Sequence, residues 1–203
     1  MNFLRLKSEA LARFRAKYPQ YWMDRLVEQV MKRALPGEIV VPGKVLAVLR
    51  NEALGMELFV PGINIVTNAG DLYYAQKIVG TTLTKDFAGA SSGLRLGSGS
   101  TAPAKTDTNV TTFVTGASIA VVATYPKVND ADADNTGAGT DIVTWRYDFT
   151  TSQGNGTGYA EGAIADDKTT PTAVLTHFLF AAAFDKTSSD TLKVIVNHAP
   201  TGV

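Results

Sequence analysis

The chain has 203 residues, 45% of them hydrophobic, no cysteine, and a formal net charge of zero. This length suits one large β domain, or a β domain with a smaller appendage. The lack of cysteine excludes a disulfide framework and thiolate metal sites, and no run reaches the roughly eighteen apolar residues of a membrane helix.

The first 37 residues predict a basic helical arm. Apolar side chains recur at helical spacing in two segments that meet at Pro19, and Pro36-Gly37 ends the second segment. The apolar residues that we assign to an interface are Phe3, Leu4, Leu11, Phe14, Tyr18, Trp22 and Leu26. Charges at Arg5 and Lys7 interrupt the start, so it does not read as a secretory signal, and we expect synthesis in the cytosol.

Charge separates this arm from the rest of the chain. Residues 1–50 hold ten Lys or Arg and four Asp or Glu, a net +6, which leaves −6 on the remainder. Head-to-tail contact between copies, or an acidic partner for the arm, would use this separation, although a solvated basic helix gives the same pattern. The arm either packs on its own β domain or anchors on a neighbour. DNA binding is disfavoured because its aromatic residues lie on the apolar stripe.

Residues 38–203 read as strands divided by turns. In the first half the candidate strands are 38–41, 44–50, 56–60, 64–67 and 72–79, with a hairpin turn at 68–71. Residues 45–54 suit a short helix equally well. In the second half the candidates are 110–115, 117–125, 141–150, 157–164, 172–181 and 190–197. This pattern predicts an antiparallel β-sandwich or jelly-roll-like domain over 38–203, with a sub-boundary considered near 81–93.

Few residues could perform catalysis. The two histidines are His177, in an apolar run that favours a structural role, and His198, which we expect to be exposed. The Gly97-Ser98-Gly99 stretch lacks the spacing of a nucleophile elbow. Glycines 154, 156 and 158 suit a hairpin tip and not a phosphate loop. We therefore expect no enzymatic activity and no cofactor.

One acidic run resembles a calcium loop. Asp130, Asp132 and Asp134 alternate, and Asp141 falls at the twelfth position. The sixth position is Asn135 where glycine is usual, and the twelfth is Asp where Glu is usual. A solvated acidic loop is therefore the default interpretation, with calcium binding as the weaker alternative.

Aromatic residues in the candidate strands have two interpretations. If exposed, they could form a platform for a sugar. Alternating aromatics in β domains are more often core residues. The residues concerned are Tyr73, Tyr74, Trp145, Tyr147 and Tyr159.

The stretch 94–108 carries a family resemblance. It reads Leu-Arg-Leu-Gly-Ser-Gly-Ser-Thr-Ala-Pro-Ala-Lys-Thr-Asp-Thr. It resembles a sequence recurrent in tailed-bacteriophage virion proteins, in which an arginine-bearing strand enters a Gly/Ser/Thr-rich loop that ends with Ala-Pro and an acidic residue. A strand at 143–149, a Gly-Asn-Gly-Thr turn at 154–157, residues 159–164 and the closing strand at 185–194 are similar too. The resemblance covers about 93–197, and the helical arm lies outside it.

The resemblance implies a β-rich, non-enzymatic particle component. The first expectation is a capsid cement, or decoration, protein at the capsid surface of a virion, made in the bacterial host cytoplasm. Its partners would be the major capsid protein and copies of itself, and no membrane. The second expectation is a tail, neck or fibre-attachment protein. The third is a host-glycan-binding module.

Overall fold

The computed structural model describes residues 44–128 and 142–198. These residues form nine strands and one helix. In chain order the elements are β1 (Lys44–Asn51), β2 (Met56–Val66), α1 (Asn68–Val79), β3 (Gly93–Gly97), β4 (Phe113–Ile119), β5 (Lys127–Val128), β6 (Val143–Phe149), β7 (Gly156–Ala165), β8 (Val174–Lys186) and β9 (Asp190–His198).

All nine strands belong to one curled sheet. The strand order is β4-β3-β7-β8-β2-β1-β9-β6-β5, and every neighbouring pair is antiparallel. The predicted mainly-β, antiparallel class is therefore confirmed. The early strands β1 and β2 lie between the late strands β8 and β9, so the sheet combines strands from both sides of residues 81–93. The predicted arm, 1–37, lies outside the described residues.

The inner face of the curled sheet holds the main core. Strand β6 shows why: Trp145, Tyr147 and Phe149 are buried, while Arg146 and Asp148 point outward and form an ion pair at 2.7 Å. This alternation is typical of a strand with one face in the core, and the strand lies within the predicted segment 141–150. Each large apolar side chain buried in this way stabilises the fold by roughly 1.5–3 kcal/mol. The same periodicity places Val45, Ala47 and Leu49 of β1 in this core.

The predicted strand at 72–79 and the hairpin turn at 68–71 are wrong, because these residues form α1. The Thr67 hydroxyl caps the helix by accepting a hydrogen bond from the Gly70 amide at 3.1 Å. Gly80 ends the helix in the left-handed conformation, with φ of 70°. The helix packs on β8 and β2 and places Tyr73 in the inner core. The helical alternative for 45–54 is also wrong, because most of that segment forms β1.

Two predicted strands merge around Gly116. The sequence placed strands at 110–115 and 117–125, whereas β4 runs through Phe113–Ile119. Gly116 lies within it at a φ of 80°, a conformation that glycine adopts without steric cost. The glycine that read as a break is therefore an irregularity inside one edge strand.

The outer face of the sheet is covered at one end by a loop. Residues 98–112, which we name the β3–β4 loop, connect β3 to β4. A small second core lies on this face, where Val110 of the loop packs with Ala163, Ala165 and Val174, and Phe113 packs against them. The loop that carries the sequence resemblance therefore lies against β7 and β8 as part of the folded body.

Candidate functional site

A buried polar cluster lies between the β3–β4 loop and the outer face of the sheet. Its members are Glu161 on β7, His177 on β8 and Asp107 near the centre of the loop. The register pairs Ala163 with His177 and Glu161 with Leu179, so the Glu161 and His177 side chains lie on one face, diagonally adjacent. His177 Nε2 is 2.9 Å from Glu161 Oε2, and His177 Nδ1 is 2.6 Å from Asp107 Oδ2.

Glu161 attaches the loop to the sheet through its carboxylate. Oε1 accepts hydrogen bonds from the backbone amides of Gly99 at 3.0 Å and Thr112 at 2.7 Å, and Oε2 accepts one from the Thr111 amide at 3.0 Å. Together with His177, four donors surround a side chain that is 0% exposed. Burial alone would raise the pKa of Glu161, but these hydrogen bonds lower it to about 2. The carboxylate is therefore ionised and fully occupied.

His177 lies between two carboxylates. A ring nitrogen can satisfy a carboxylate only by donating, so the two contacts together require both nitrogens to carry hydrogen, which is the imidazolium form. Burial opposes that charge, but the hydrogen bonds to Glu161 and Asp107 more than offset it and raise the pKa of His177. Asp107 Oδ2 also accepts the Ala104 amide at 2.7 Å, which closes a turn within the loop.

Two glycines let the loop approach Glu161 closely. A Cβ added at Gly97 would lie 2.5 Å from Glu161 Oε1 and 2.6 Å from the Thr112 carbonyl oxygen, and one at Gly99 would lie 2.5 Å from the same Oε1. Neither residue has a positive φ. These glycines are therefore needed for close packing and not for a left-handed turn.

Arg95 forms a second attachment beside the cluster. It lies on β3 with its guanidinium over the Phe113 ring, 3.7 Å from the ring centroid. Its Nε donates to Asn109 Oδ1 at 3.0 Å, and its Nη1 donates to the Lys168 carbonyl at 2.5 Å. Arg95 thus ties the β3–β4 loop to the connection between β7 and β8.

The cluster is built to hold structure. Both nitrogens of His177 serve as donors, and both oxygens of Glu161 accept from the loop, so the groups that could exchange protons with a ligand are already used inside the fold. Among residues 44–128 and 142–198, no group of three His, Asp or Glu side chains is arranged to hold a metal ion. The chemistry that this geometry supports is attachment of the loop.

The second histidine lies in a separate buried group. His198 is 1% exposed, so its predicted exposure is wrong. The Tyr74 hydroxyl accepts a hydrogen bond from Trp145 Nε1 at 3.1 Å and lies 2.6 Å from His198 Nδ1, to which it donates. Burial lowers the pKa of His198 to about 3, so this ring is neutral. It packs edge-on against the ring of Tyr74 on α1.

The aromatic residues that could have formed a sugar platform lie mostly in the core, which was the favoured interpretation of their alternation. Tyr73, Trp145, Tyr147 and Tyr159 are buried, and Tyr74 is partly buried. The Tyr159 hydroxyl donates to the Gly154 carbonyl at 2.8 Å, across the turn between β6 and β7. The prediction of a hairpin tip at these glycines is wrong, because the strands that the turn connects, β6 and β7, are not neighbours in the sheet.

The remaining predicted site residues fall outside the described residues. They are the arm residues Phe3, Leu4, Leu11, Phe14, Tyr18, Trp22 and Leu26, and the calcium candidates Asp130, Asp132, Asp134 and Asp141. Anchoring and calcium binding therefore stay predictions.

Comparisons with known proteins do not assign this chain to a family. No family model matches the chain. Searches of curated proteins and of solved structures found no match either. In the part of the chain that the structure describes, no helix is long and apolar enough to cross a membrane.

Sequence reasoning missed Glu161 and Asp107 as members of a site. The available signal was the single carboxylate of Glu161 in a strand of small residues, Ala160-Glu161-Gly162-Ala163. By alternation Glu161 lies on the same face of the strand as Ala163, a small residue that suits a buried position. A charged residue at such a position requires a partner. The identity of that partner depended on the strand register, which the sequence alone does not provide.

Proposed function

We propose that this chain is a non-enzymatic structural protein of a tailed-bacteriophage virion, and specifically a capsid cement protein that binds the assembled head. The proposal rests on the resemblance of residues 93–197 to such virion proteins. Its partners would be the major capsid protein and further copies of this chain, at the capsid surface.

The observation that supports a structural role is the attachment of the β3–β4 loop, which carries the sequence resemblance, to the sheet. Three of its backbone amides donate to Glu161, and its Asp107 pairs with His177. A loop rich in Gly, Ser and Thr is usually mobile, whereas this loop is fixed at several points to a buried charge. A fixed loop supports the interpretation of a rigid particle component.

A cement protein works through mass action. A ligand that binds the assembled shell and not its free subunits stabilises the shell by RT ln(1 + [L]/Kd), about 2.7 kcal/mol at a concentration one hundred times Kd. The curled sheet would provide a rigid body for this contact. The N-terminal arm would provide apolar anchors, since such residues usually carry most of an interface's energy.

A tail, neck or fibre-attachment protein is the second candidate. The same β body would then occur in few copies, fixed by the rotational symmetry of the tail. The glycan-binding module loses support, because the aromatic residues that it required at the surface are mostly in the core.

Copy number separates the first two candidates. We would purify particles that carry this chain and measure its ratio to the major capsid protein by quantitative mass spectrometry. Hundreds of copies support the cement proposal, and about three, six or twelve copies assign the chain to the tail or neck. No copies in the particle contradict a virion role altogether.

A binding test addresses the mechanism. The purified chain is added to heads that lack it, and the temperature at which the heads release DNA is measured. A cement protein raises that temperature in proportion to occupancy. Binding without any rise would contradict the stabilising role, and a variant without residues 1–37 tests whether the arm is needed.

A further inference from the structure

A lysine side chain is buried at the C-terminal end of β8. Lys186 is the last residue of that strand and is only 1% exposed. It follows the buried Phe184 by two positions, so both side chains lie on the inner face of the sheet. The Lys186 Nζ donates a hydrogen bond to Asn155 Oδ1 at 2.9 Å. This lysine takes no part in the attachment of the β3–β4 loop.

Burial makes the ammonium form of Lys186 unfavourable. An ammonium has three N–H groups to place, and among the described residues the Asn155 side-chain oxygen accepts one of them. Burial lowers the pKa of Lys186, and the charge of Asp190 opposes this only in part. The neutral amine is therefore more populated than in an exposed lysine, and the neutral amine is the nucleophilic form.

The Asn155 amide is held in position by the turn that precedes β7. Its Nδ2 donates to the Thr151 carbonyl at 3.0 Å, while its Oδ1 accepts from Lys186. The carbonyl of the adjacent Gly154 accepts a hydrogen bond from the Tyr159 hydroxyl at 2.8 Å. The turn is therefore ordered before any reaction, which reduces the entropy lost on reaching a transition state.

The strand register keeps the amine and the amide together. Gly156, which follows Asn155, is the cross-strand partner of Lys186. The Asn155 carbon Cγ is joined to Oδ1 by a bond of about 1.2 Å, so it lies no more than about 4.1 Å from Nζ. Reacting atoms in a productive arrangement lie about 3–3.5 Å apart. A small movement of the lysine side chain is sufficient to reach that distance.

We propose that Lys186 and Asn155 join through an intramolecular isopeptide bond in the folded chain. The neutral Nζ attacks Cγ, a C–N bond forms, and the bond between Cγ and Nδ2 breaks. One proton moves from Nζ to Nδ2, which leaves as ammonia, so the reaction needs no oxidant, cofactor or second substrate. Asn155 is exposed, which gives the ammonia a path to solvent.

The bond would tie the turn before β7 to the end of β8. It would close a covalent loop from Asn155 to Lys186 in a chain that has no cysteine for a disulfide. This proposal concerns the covalent structure of the chain alone. It holds or fails independently of whether the chain belongs to a capsid, a tail or neither.

Mass spectrometry of the denatured, intact chain tests the bond. The purified chain is measured before and after prolonged incubation in its folded state. The proposal predicts a mass lower than that of the sequence by one ammonia. Trypsin should then release peptide 147–168 joined to peptide 169–193, with no cleavage after Lys186. A chain that keeps the full sequence mass after incubation overturns the proposal.

A competing reaction with the same mass loss is separated by the joined peptides. Asn155 precedes Gly156, and an Asn-Gly pair can lose ammonia by forming a backbone succinimide, which involves no lysine. Ammonia loss without the joined peptides therefore assigns the change to the succinimide and overturns the proposal.

Two lysine variants provide the matched comparison. Lys186→Arg keeps the positive charge but removes the amine, so it should yield no joined peptides. Lys105→Arg, at an exposed lysine that pairs with Asp71, should yield them as the wild-type chain does. Joined peptides that persist in Lys186→Arg overturn the proposal. If that variant does not fold, the digest of the wild-type chain decides the outcome by itself.

Discussion

The two histidines occupy opposite electrostatic environments within one sheet. His177 lies on the outer face between Glu161 and Asp107, and these hydrogen bonds raise its pKa in spite of burial. His198 lies by α1, where its Nδ1 contacts the Tyr74 hydroxyl, and burial lowers its pKa to about 3. Both side chains are almost fully buried, so burial does not explain the difference. The difference comes from the two carboxylates.

This contrast shows how the two regions are stabilised. The group at His198 joins polar atoms of aromatic residues that are already packed in the core, so its hydrogen bonds add to an apolar contact surface. The cluster at His177 instead connects a loop of small polar residues to the sheet, where few apolar side chains are available. We therefore expect substitutions at the outer cluster to cost more stability than those at His198.

Glu161→Gln is expected to have the largest effect. The amide keeps one acceptor but places an NH2 group against His177 or a loop amide, so buried donors face each other. We expect a loss of about 3 kcal/mol in the free energy of unfolding, as for breaking a buried charged pair. Urea denaturation measures it. Glu57→Gln, at an exposed position of β2, is the control, and equal stabilities of the two variants would contradict the role of Glu161.

Gly97→Ala comes next. The new methyl group would meet Glu161 Oε1 and the Thr112 carbonyl inside contact distance, and backbone atoms cannot move away easily. Overpacking of this kind costs about 2 kcal/mol. The neighbouring exposed residue offers a control, and Ser98→Ala should change the urea midpoint very little. If the two substitutions behave alike, the close approach of the loop is not a constraint.

The pH dependence of stability should have opposite slopes on the two sides of pH 6.5, the usual pKa of histidine. The raised pKa of His177 gives stability that is complete below pH 6.5 and is lost as pH rises through its folded-state pKa. The lowered pKa of His198 gives stability that is present above pH 6.5 and is lost as pH falls towards 3. Each slope is at most about 1.4 kcal/mol per pH unit.

Urea denaturation across pH 3–10 tests these slopes. His177→Gln should remove the loss of unfolding free energy on the alkaline side. On the acidic side the loss caused by His198 should remain. Glu161, whose pKa is lowered to about 2, adds a further loss of stability at the acidic end. A wild-type alkaline slope that survives in His177→Gln would show that another group causes it.

His198→Phe should have the smallest effect. The substitution removes the acceptor for the Tyr74 hydroxyl, but Trp145 still donates to that oxygen and the ring packing is kept. We expect a loss of about 1 kcal/mol, and about 3 kcal/mol for His177→Phe, which strands two carboxylates. Calorimetry of both variants compares the two regions directly. A larger loss of stability in His198→Phe than in His177→Phe would contradict the proposed difference between the regions.

The sequence allowed prediction of the strands whose alternation is strong. Strand β6 lies within the predicted segment 141–150, where Trp145, Tyr147 and Phe149 alternate with polar residues. Helix α1 was missed because Tyr73, Tyr74, Ile78 and Val79 favour strands. The local signals that decide for a helix are the Thr67 cap and Asp71 in the first turn, and residues 68–71 also suit a hairpin turn.

The candidate site was less predictable than the fold. Asp107 and His177 are 70 residues apart, and Glu161 is 16 residues from His177. Their proximity depends on the register of β7 against β8 and on the path of the β3–β4 loop. Neither is encoded in a local motif, so the sequence could show isolated charged residues but not the cluster.

Amide hydrogen exchange of the β3–β4 loop, followed by NMR, tests the central claim that Glu161 holds this loop on the sheet. The account predicts that the amides of Gly99, Thr111 and Thr112 exchange nearly as slowly as those of β7, and that Glu161→Gln selectively accelerates all three. Fast exchange of these amides in the wild-type chain, at the rate of an exposed turn, would contradict it.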